Sequence, residues 1–309
     1  MSDLPILIVG SMAFDDLELP TGKFPDVVGG SATYGAYAAS TFAPVRLVAV
    51  VGSDFPEEQL TALSARGCDV AGVERRTDGK TFRWAGRYSD NLASRETLDT
   101  QLNVFASFDP KLPPSYRGTP LVLLGNIHPA LQVSVLSQIE RPRLVLADTM
   151  NFWIEGERKA LGEMLARIDT LVINEEEVRQ LSGEHNVAKA ARATRKMGPK
   201  RIIVKRGEYG ALLFDEEGAF FAPAYPLEDV VDPTGAGDSF AGGLVGYLAR
   251  NGEITPLALR RAIMVASACA SYCVEGVGTS RLATLTEGAV GSRIAEFHQL
   301  THFGSADLF

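Results

Sequence analysis

The segment Val230–Gly243, VVDPTGAGDSFAGG, combines two aspartates with closely spaced glycines at the start of an apolar stretch. Gly235 and Gly237 allow backbone angles that other residues rarely adopt, so successive N–H groups can point in the same direction. We expect a helix to begin near Ser239, and a helix N-terminus attracts anions. The segment therefore predicts an anion hole for a phosphoryl group, with Asp238 placed to take a proton from a substrate hydroxyl.

The same residues are also typical of a simple capped helix start, because an acid in the first turn stabilises any helix. Two common phosphate-binding motifs do not explain the segment. The sequence GKT at Gly79–Thr81 has Glu74 where a P-loop needs its first glycine. A GxGxxG motif that begins at Gly235 has Phe240 in place of its third glycine. From the residues alone, both interpretations stay open.

Short apolar runs alternate with helix-like segments along most of the chain, which predicts βαβ units around a buried, mostly parallel sheet. The predicted strands are Pro5–Gly10, Arg46–Gly52, Leu121–Gly125, Arg143–Asp148, Thr170–Asn174 and Arg201–Lys205. The predicted helices are Ser31–Phe42, Pro56–Arg66, Pro129–Ile139, Glu155–Ile168, Val187–Met197, Ser239–Arg250, Pro256–Tyr272 and Thr286–His298. Several strands end in Gly, Asn or Asp, which indicates a site along the carboxyl edge of the sheet.

One region lacks long apolar runs, from Val73 to about Asn103. Within it the segment Thr81–Tyr88, TFRWAGRY, alternates as a half-exposed strand does. Its aromatic residues share one face and its arginines the other: Phe82, Trp84 and Tyr88 against Arg83 and Arg87. Together with Met12–Leu19, the segment predicts a small flap of strands over the sheet edge.

Composition excludes some classes of partner. The 309 residues carry 30 Lys+Arg against 38 Asp+Glu, a net charge of −8, which argues against a nucleic-acid or anionic-membrane surface. The three cysteines form no CxxC pair and are interpreted as buried hydrophobic residues. The short apolar run after the N-terminus is typical of a first strand rather than a signal peptide, and no apolar stretch reaches 18 residues. We expect a cytoplasmic protein.

The segment DPTGAGDSFAGG resembles the C-terminal signature of the ribokinase/PfkB family of ATP-dependent carbohydrate and nucleoside kinases. Four further segments resemble family motifs in the same order along the chain: VGSMAFDD, GGSATYGAYAAS, INEEE and VKRGEYGALLF. The resemblance implies an α/β, three-layer ribokinase-like fold with a mostly parallel central sheet flanked by helices and a small β-strand lid. It also implies one kinase domain over residues 1–309, with lid strands from about 11–27 and 73–104.

The resemblance further implies roles for matched residues in phosphoryl transfer from ATP. Asp238 would be the general base, and the anion hole for the γ-phosphoryl group would consist of Gly235, Ala236 and Gly237. The nucleotide would lie against Asn174, Lys205, Gly207 and Gly210. Glu177 would hold Mg²⁺ through water, and a monovalent cation such as K⁺ would lie at Asp232 and Thr234. Without the resemblance, Asn174 and Glu177 are also typical of a helix N-cap.

The resemblance places the substrate hydroxyls against Asp15, Gly29 and Gly30, with Asp16 as a competing acid beside Asp15. Tyr34 stands where the family usually has Asn, and the larger side chain cannot form the same bond to a sugar hydroxyl. Further substrate contacts are expected at two strand ends, from Asn126 and Asn151.

These expectations favour an ATP-dependent kinase that phosphorylates a hydroxyl of a small sugar or polyol. The alternatives are a nucleoside kinase, a sugar-phosphate kinase that uses Arg83 and Arg87, and a catalytically silent binding protein of the same family. The intact Asp238 argues against a silent protein. The exposed flap favours a homodimer through the lid.

Overall fold

The computed structural model describes residues 3–302 and residue 304. Its strands are β1 (Ile6–Val9), β2 (Ala13–Leu19), β3 (Gly22–Gly29), β4 (Val45–Val51), β5 (Cys68–Arg75), β6 (Phe82–Tyr88), β7 (Arg95–Gln101), β8 (Leu121–Leu124), β9 (Leu144–Asp148), β10 (Thr170–Asn174), β11 (Arg201–Lys205), β12 (Ala211–Phe214) and β13 (Ala219–Ala222). Its helices are α1 (Ser31–Ala39), α2 (Glu57–Ala65), α3 (Pro129–Leu136), α4 (Asn151–Gly156), α5 (Arg158–Leu165), α6 (Glu175–Ser182), α7 (Val187–Arg195), α8 (Ala236–Asn251), α9 (Pro256–Cys273) and α10 (Glu287–Thr301). None of the helices in this part of the chain is long and apolar enough to cross a membrane.

The larger sheet has the strand order β13-β12-β11-β10-β9-β8-β1-β4-β5. It is parallel except where β12 pairs with β11 and β13. Successive residues of β1 point to opposite faces, so Ile6 and Ile8 enter one hydrophobic core and Leu7 and Val9 enter the other. Both faces are covered, which explains why the central strands are apolar throughout.

Helices cover the two faces of this sheet and complete three layers. Helices α1, α2, α8, α9 and α10 supply side chains to the first core, and α3–α7 supply the second. All six predicted strands are present within one or two residues of their expected bounds. The α/β, three-layer architecture predicted from the sequence is therefore confirmed.

One predicted helix is wrong. The segment Glu155–Ile168 was expected to be continuous, but α4 ends at Gly156 and α5 begins at Arg158. Between them Glu157 has φ −123° and ψ 37°, outside the helical region, and this residue turns the chain. Helix α6 begins after Asn174, where the sequence allowed a helix N-cap, although its three consecutive glutamates obscure the apolar spacing of Val178 and Leu181.

The smaller sheet has the strand order β3-β2-β6-β7, and we call it the lid. Strands β2 and β6 are parallel, and each pairs antiparallel with its outer neighbour. Its own small core contains Leu17, Leu19 and the buried Tyr88, with the half-buried Trp84 packed against them. Phe82, the third predicted aromatic residue of β6, stacks on Phe105 instead. The lid strands lie within residues 13–29 and 82–101, whereas residues 73–75 belong to β5 of the larger sheet.

The close approach of α1 and α8 depends on glycine. A Cβ atom on Gly242 would lie 2.3 Å from the carbonyl oxygen of Gly35, a backbone atom that cannot move independently. We expect Gly242→Ala to lower the free energy of unfolding by roughly 1–3 kcal/mol through overpacking, measured by denaturant titration. The matched control is Gly291→Ala on α10, where nothing lies within 4 Å of the new methyl group. That variant should gain about 0.5–1 kcal/mol from helix propensity, and equal effects at both positions would contradict the packing argument.

Candidate active site

Gly235 is the N-cap of α8, and two independent features of this position require glycine. Gly235 has φ 74°, in the left-handed region, and a Cβ atom there would lie 2.3 Å from the ring of Tyr34. The N–H of Ser239 donates to the carbonyl of Gly235 and that of Ala236 to the carbonyl of Pro233 at 3.3 Å, so the N–H groups of Gly237 and Asp238 have no acceptor within the helix. These N–H groups and the positive end of the helix dipole form a potential anion-binding site.

Asp232 holds the loop that leads into α8. Its side chain is fully buried, Oδ1 accepts from the N–H of Thr234 at 2.9 Å, and Oδ2 accepts from the N–H of Gly278 at 2.9 Å. The hydroxyl of Thr234 is bonded to the hydroxyl of Tyr88 in the lid at 2.9 Å. The two residues predicted to hold a monovalent cation therefore also fix the loop and tie it to the lid.

Asp238 is the third residue of α8 and lies beside an ion pair. Lys205 Nζ is 2.8 Å from Asp148 Oδ2, and a Cβ atom on Gly237 would lie 2.9 Å from the same Nζ. Burial, assisted by the nearby Asp148, raises the pKa of Asp238 to about 7, although Lys205 and Arg95 act in the opposite direction. A carboxylate that titrates near neutral pH is suited to general base catalysis.

Lys205 stays charged in this environment. Burial alone lowers the pKa of its amine, but Asp148, Glu177 and Asp238 together raise it above its ordinary value. The ion pair thus keeps a positive charge directly beneath the anion hole at Gly237.

Asn174 and Glu177 form the capping box that the sequence also allowed. Asn174 Oδ1 accepts from the N–H of Glu177 at 2.8 Å, and Glu177 Oε2 accepts from the N–H of Asn174 at 3.0 Å. Burial raises the pKa of Glu177 to about 7, with Lys205 lowering it and Asp148 raising it. The cap therefore places Glu177 in the same charged cluster as Lys205 and Asp148.

Asp15 is buried at the acceptor end of the site. A Cβ atom on Gly29 would lie 2.0 Å from Asp15 Oδ2, so only glycine leaves room for this carboxylate. Burial raises the pKa of Asp15 to about 8, and Asp232 and Asp238 contribute in the same direction. The competing acid, Asp16, instead forms an ion pair with Arg83 at 2.8 Å.

Tyr34 lies between the two glycine segments. Its ring contacts Gly235, as described above, and a Cβ atom on Gly29 would lie 3.3 Å from it. The side chain is 1% exposed, and its hydroxyl has no hydrogen-bond partner among the described residues. Burial raises the pKa of this hydroxyl well above its ordinary value, and the nearby Asp15 adds to that effect.

The remaining predicted glycines all have positive φ angles, and two of them are also closely packed. Gly30 has φ 94° at the start of α1, and a Cβ atom there would lie 2.5 Å from the carbonyl oxygen of Ser11. Gly210 has φ 86°, and a Cβ atom would lie 2.1 Å from the carbonyl oxygen of Ala222. Gly207 has φ 56° and begins the turn between β11 and β12, two residues after Lys205, with open space where a Cβ atom would be.

The two predicted asparagines lie at neighbouring strand ends but differ in surroundings. Asn126, which follows β8, donates to Met150 Sδ at 3.1 Å and accepts from Trp153 Nε1 at 2.9 Å. Asn151 begins α4 after β9 and is exposed. His128 caps α3 by accepting from the N–H of Ala130, and its ring lies 5.0 Å from that of Trp153.

Sequence reasoning missed two residues of this site. Gln132 is buried and donates to the carbonyls of Gly125 and Asp148 at 2.9 and 3.0 Å, so it joins the ends of β8 and β9. A single glutamine in a predicted helix gives no signal of this role. Arg95 lowers the pKa values of Asp15, Glu177 and Asp238 although it belongs to the lid, and its position depends on a strand pairing that the sequence does not reveal.

Magnesium would have few side-chain ligands here. Across residues 3–302, no group of three His, Cys, Asp or Glu side chains is arranged to hold a metal ion. Lys205, which lies close to Gly237, is paired with Asp148 and is also influenced by Glu177, and this arrangement fits a Mg²⁺ ion that would be bound mainly by phosphate and water.

Comparison with known proteins identifies the family to which the chain belongs. The family model described as pfkB family carbohydrate kinase matches residues 143–285, which include Asp148, Glu177, Lys205 and the whole Asp232–Asp238 loop. A cytidine kinase of Thermococcus kodakarensis is 32% identical over 250 residues, which cover 79% of this chain and 88% of that enzyme. The chain belongs to the pfkB family of carbohydrate kinases. It is therefore an enzyme of an ATP-dependent kinase class.

Other relatives of this chain are named for different phosphate acceptors. An aminoimidazole riboside kinase of Salmonella typhimurium is 38% identical over 127 residues, or 40% of each chain. Among solved structures, the nucleoside kinase of Methanocaldococcus jannaschii has a TM-score of 0.76 at 18% identity, covering 96% of this chain and 100% of that one. Arabidopsis thaliana ribokinase, complexed with ribose and ATP, has a TM-score of 0.75 at 20% identity, covering 95% and 99%. These structures confirm the predicted ribokinase-like fold.

The raised pKa of Asp238 has a measurable consequence for stability. Because the pKa in the folded protein, about 7, lies above the ordinary value of 3.8, the folded state loses stability as the pH rises between these values. We expect Asp238→Asn to remove this loss, so its melting temperature should exceed that of the unmodified protein above about pH 7 by a few degrees. Near pH 4 the two proteins should melt together.

The matched control for this measurement is Asp90→Asn, which changes an exposed aspartate in the lid turn. Its melting curve should follow the unmodified protein at every pH. A difference between Asp238→Asn and the unmodified protein that does not depend on pH would contradict the assigned pKa shift.

Proposed function

We propose that this pfkB-family enzyme transfers the γ-phosphoryl group of ATP to a hydroxyl of a small sugar-containing acceptor. The observation that carries the proposal is the position of Asp238 in the first turn of α8, where burial raises the pKa of its carboxyl group to about 7 beside the N–H groups that begin the helix. Asp238 would take the proton of the acceptor hydroxyl, while Gly235, Ala236 and Gly237 would bind the transferring phosphoryl group. Asp15 would hold the acceptor from the opposite side.

The nucleotide would lie between α6 and the turn after β11. Lys205 carries a positive charge beneath Gly237, and Asn174, Gly207 and Gly210 line the same edge of the sheet. Mg²⁺ would neutralise the phosphates and contact Glu177 through water. Two of the solved neighbours support this cofactor choice, since the Arabidopsis ribokinase is complexed with ATP and a ribokinase from E. coli with ATP and Mg²⁺.

A monovalent cation such as K⁺ would lie at the loop of Asp232 and Thr234. The buried carboxylate of Asp232 already accepts two backbone N–H groups, and a bound cation would share its remaining lone pairs. It would act through the loop geometry, since Asp232 sets the position of Gly235.

A sugar or polyol and a nucleoside are the two candidate acceptors. The nucleoside is favoured by the cytidine kinase relative, which aligns over most of the chain. It is also favoured by aromatic side chains at the ends of β8 and β9, where Trp153 packs against His128 and Phe152 is 62% exposed. Aromatic faces of this kind can stack on a nucleobase. A role for Arg83 and Arg87 in binding a sugar phosphate has less support, because both pair with lid acids.

We further propose that the chain acts as one kinase domain with its lid, over residues 1–309. All seven residues of the lid edge strand β7 are exposed, which supports a homodimer formed through the lid.

A substrate panel tests the proposed function directly. Purified protein with Mg·ATP would be assayed for ADP release against nucleosides, pentoses, hexoses, polyols and sugar phosphates. We expect turnover with a nucleoside or a neutral sugar, and Asp238→Asn should lower kcat by about 10²–10⁴-fold without loss of the fold. The control Asp229→Asn removes an exposed acid just before the motif and should keep full activity. Near-normal kcat for Asp238→Asn would refute the assigned base.

Tyr34 tests how the acceptor is held. Its buried hydroxyl has no partner among the described residues and lies beside Asp15, so we propose that it bonds the acceptor. Tyr34→Phe should raise the acceptor KM by about 3–10-fold, as expected for one lost hydrogen bond, with a smaller change in kcat. The free protein should become slightly more stable, because the variant no longer buries an unpaired hydroxyl.

Tyr37→Phe is the matched control, since Tyr37 is a buried tyrosine on the same helix whose ring lies near Arg66 rather than the glycine segments. It should leave the acceptor KM unchanged. If both variants change KM equally, the effect comes from α1 packing and not from contact with the acceptor.

A further inference from the structure

Four positively charged side chains belong to the lid strands, and three of them are neutralised. Lys23 pairs with Glu18, Arg83 pairs with Asp16 and Asp26, and Arg87 pairs with Glu18 and Glu96. Arg95, the first residue of β7, forms no ion pair with any described residue. Its guanidinium instead lies 5.6 Å from the ring centre of Trp84.

Strand register determines which way Arg95 points. It is directly opposite Tyr88 in the β6–β7 hairpin, and residues directly opposite each other project from the same face of a sheet. Tyr88 is buried, and its hydroxyl is bonded to Thr234 at 2.9 Å, one residue before the anion-hole glycines. Arg95 therefore lies on the face of the lid that is turned towards the catalytic loop, and it shares that face with Trp84.

Arg83 and Arg87 have the opposite orientation. Both alternate with Trp84 and Tyr88 along β6, so they project from the outer face and reach the acids of β2, β3 and β7. Arg83 and Arg87 therefore stabilise the lid from its outer face. Arg95 lies on the inner face and forms no ion pair with a described residue.

The charge of Arg95 reaches the centre of the site. It lowers the pKa values of Asp15, Glu177 and Asp238, against the larger opposing effect of burial in each case. Asp15 belongs to the acceptor end, Glu177 to the nucleotide end, and Asp238 stands between them. The effect agrees with the strand register, which turns Arg95 towards the loop before α8.

We propose that Arg95 binds the phosphoryl group during transfer, completing from the lid side the anion hole that Gly235–Gly237 form from the helix side. Lys205 belongs to β11 of the larger sheet, where Asp148 holds it close to Gly237. The phosphoryl oxygens would therefore lie between a cation of the sheet and a cation of the lid. A guanidinium donates two N–H groups in one plane, which suits two oxygens of a phosphoryl group. This inference rests on the proposed function, because it requires phosphoryl transfer at Asp238.

The test compares Arg95→Gln with Arg87→Gln, a matched change on the outer face of the same lid, and uses a phosphoryl mimic. Binding of Mg·ADP would be measured by calorimetry with and without aluminium fluoride, both without acceptor and with cytidine. We expect aluminium fluoride to tighten Mg·ADP binding to the unmodified protein and to Arg87→Gln. Arg95→Gln should lose on the order of 10-fold or more of this tightening, with little change for Mg·ADP alone. Arg95→Lys should recover part of it.

Each outcome separates one explanation from another. Equal tightening in Arg95→Gln and Arg87→Gln would overturn the assignment of Arg95. Full tightening in Arg95→Gln, with a raised KM only for an acceptor that carries its own anion such as ribose 5-phosphate, would also overturn it and assign Arg95 to the acceptor. If the unmodified protein neither binds Mg·ADP nor responds to aluminium fluoride, the proposed function itself fails, and the role of Arg95 with it. Coincident melting curves for the two variants would exclude a folding defect as the cause of a difference.

Discussion

The ion pair between Lys205 and Asp148 is the interaction on which the site depends. It joins the ends of two sheet strands, β11 and β9, and places a permanent positive charge 2.9 Å from where a Cβ atom of Gly237 would be. The same two residues act in opposite directions on the pKa of Asp238, which lies next to Gly237 in α8. The pair therefore links the frame of the sheet to both parts of the predicted chemistry, the anion hole and the base.

Several carboxyl groups around this pair are buried close to one another, which makes their ionisation unfavourable. Burial raises the pKa values of Asp15, Glu177 and Asp238 to about 8, 7 and 7, so each of them resists ionisation near neutral pH. Such clusters are typical of functional sites, where groups are held in states that the fold alone would not favour. Magnesium and the cations at Lys205 and Arg95 would compensate this charge when a nucleotide is bound, so ligand binding and protonation of the site should be coupled.

Sequence alone predicted most of the frame and part of the site, for definite physical reasons. Strands such as β1 and β8 are buried on both faces, which leaves an unambiguous apolar run. The loop before α8 was predictable because Gly235 must adopt a positive φ and Asp238 must follow at fixed helical spacing. Glu157, which separates α4 from α5, gave no comparable signal, since a glutamate fits a continuous helix equally well.

The lid shows why the rest could not be predicted. The alternation of β6 identified an inner and an outer face, but it drew attention to Arg83 and Arg87, which are paired on the outside. The orientation of Arg95 follows only from the hairpin register, which sets this residue opposite Tyr88. Such registers depend on turn geometry and on packing between strands distant in the chain, and β2 and β6 are separated by more than sixty residues.

A short chain of hydrogen bonds connects this lid to the loop that leads into α8. Tyr88 is bonded to the hydroxyl of Thr234, the N–H of Thr234 to Asp232, and the second oxygen of Asp232 to the N–H of Gly278. Thr234 immediately precedes Gly235, where α8 begins. Any displacement of this part of the lid must break the Tyr88–Thr234 bond or move the loop that orients the anion hole. Lid position and anion-hole geometry are therefore not independent, and a substrate that holds the lid down also fixes the groups that would receive the phosphoryl oxygens.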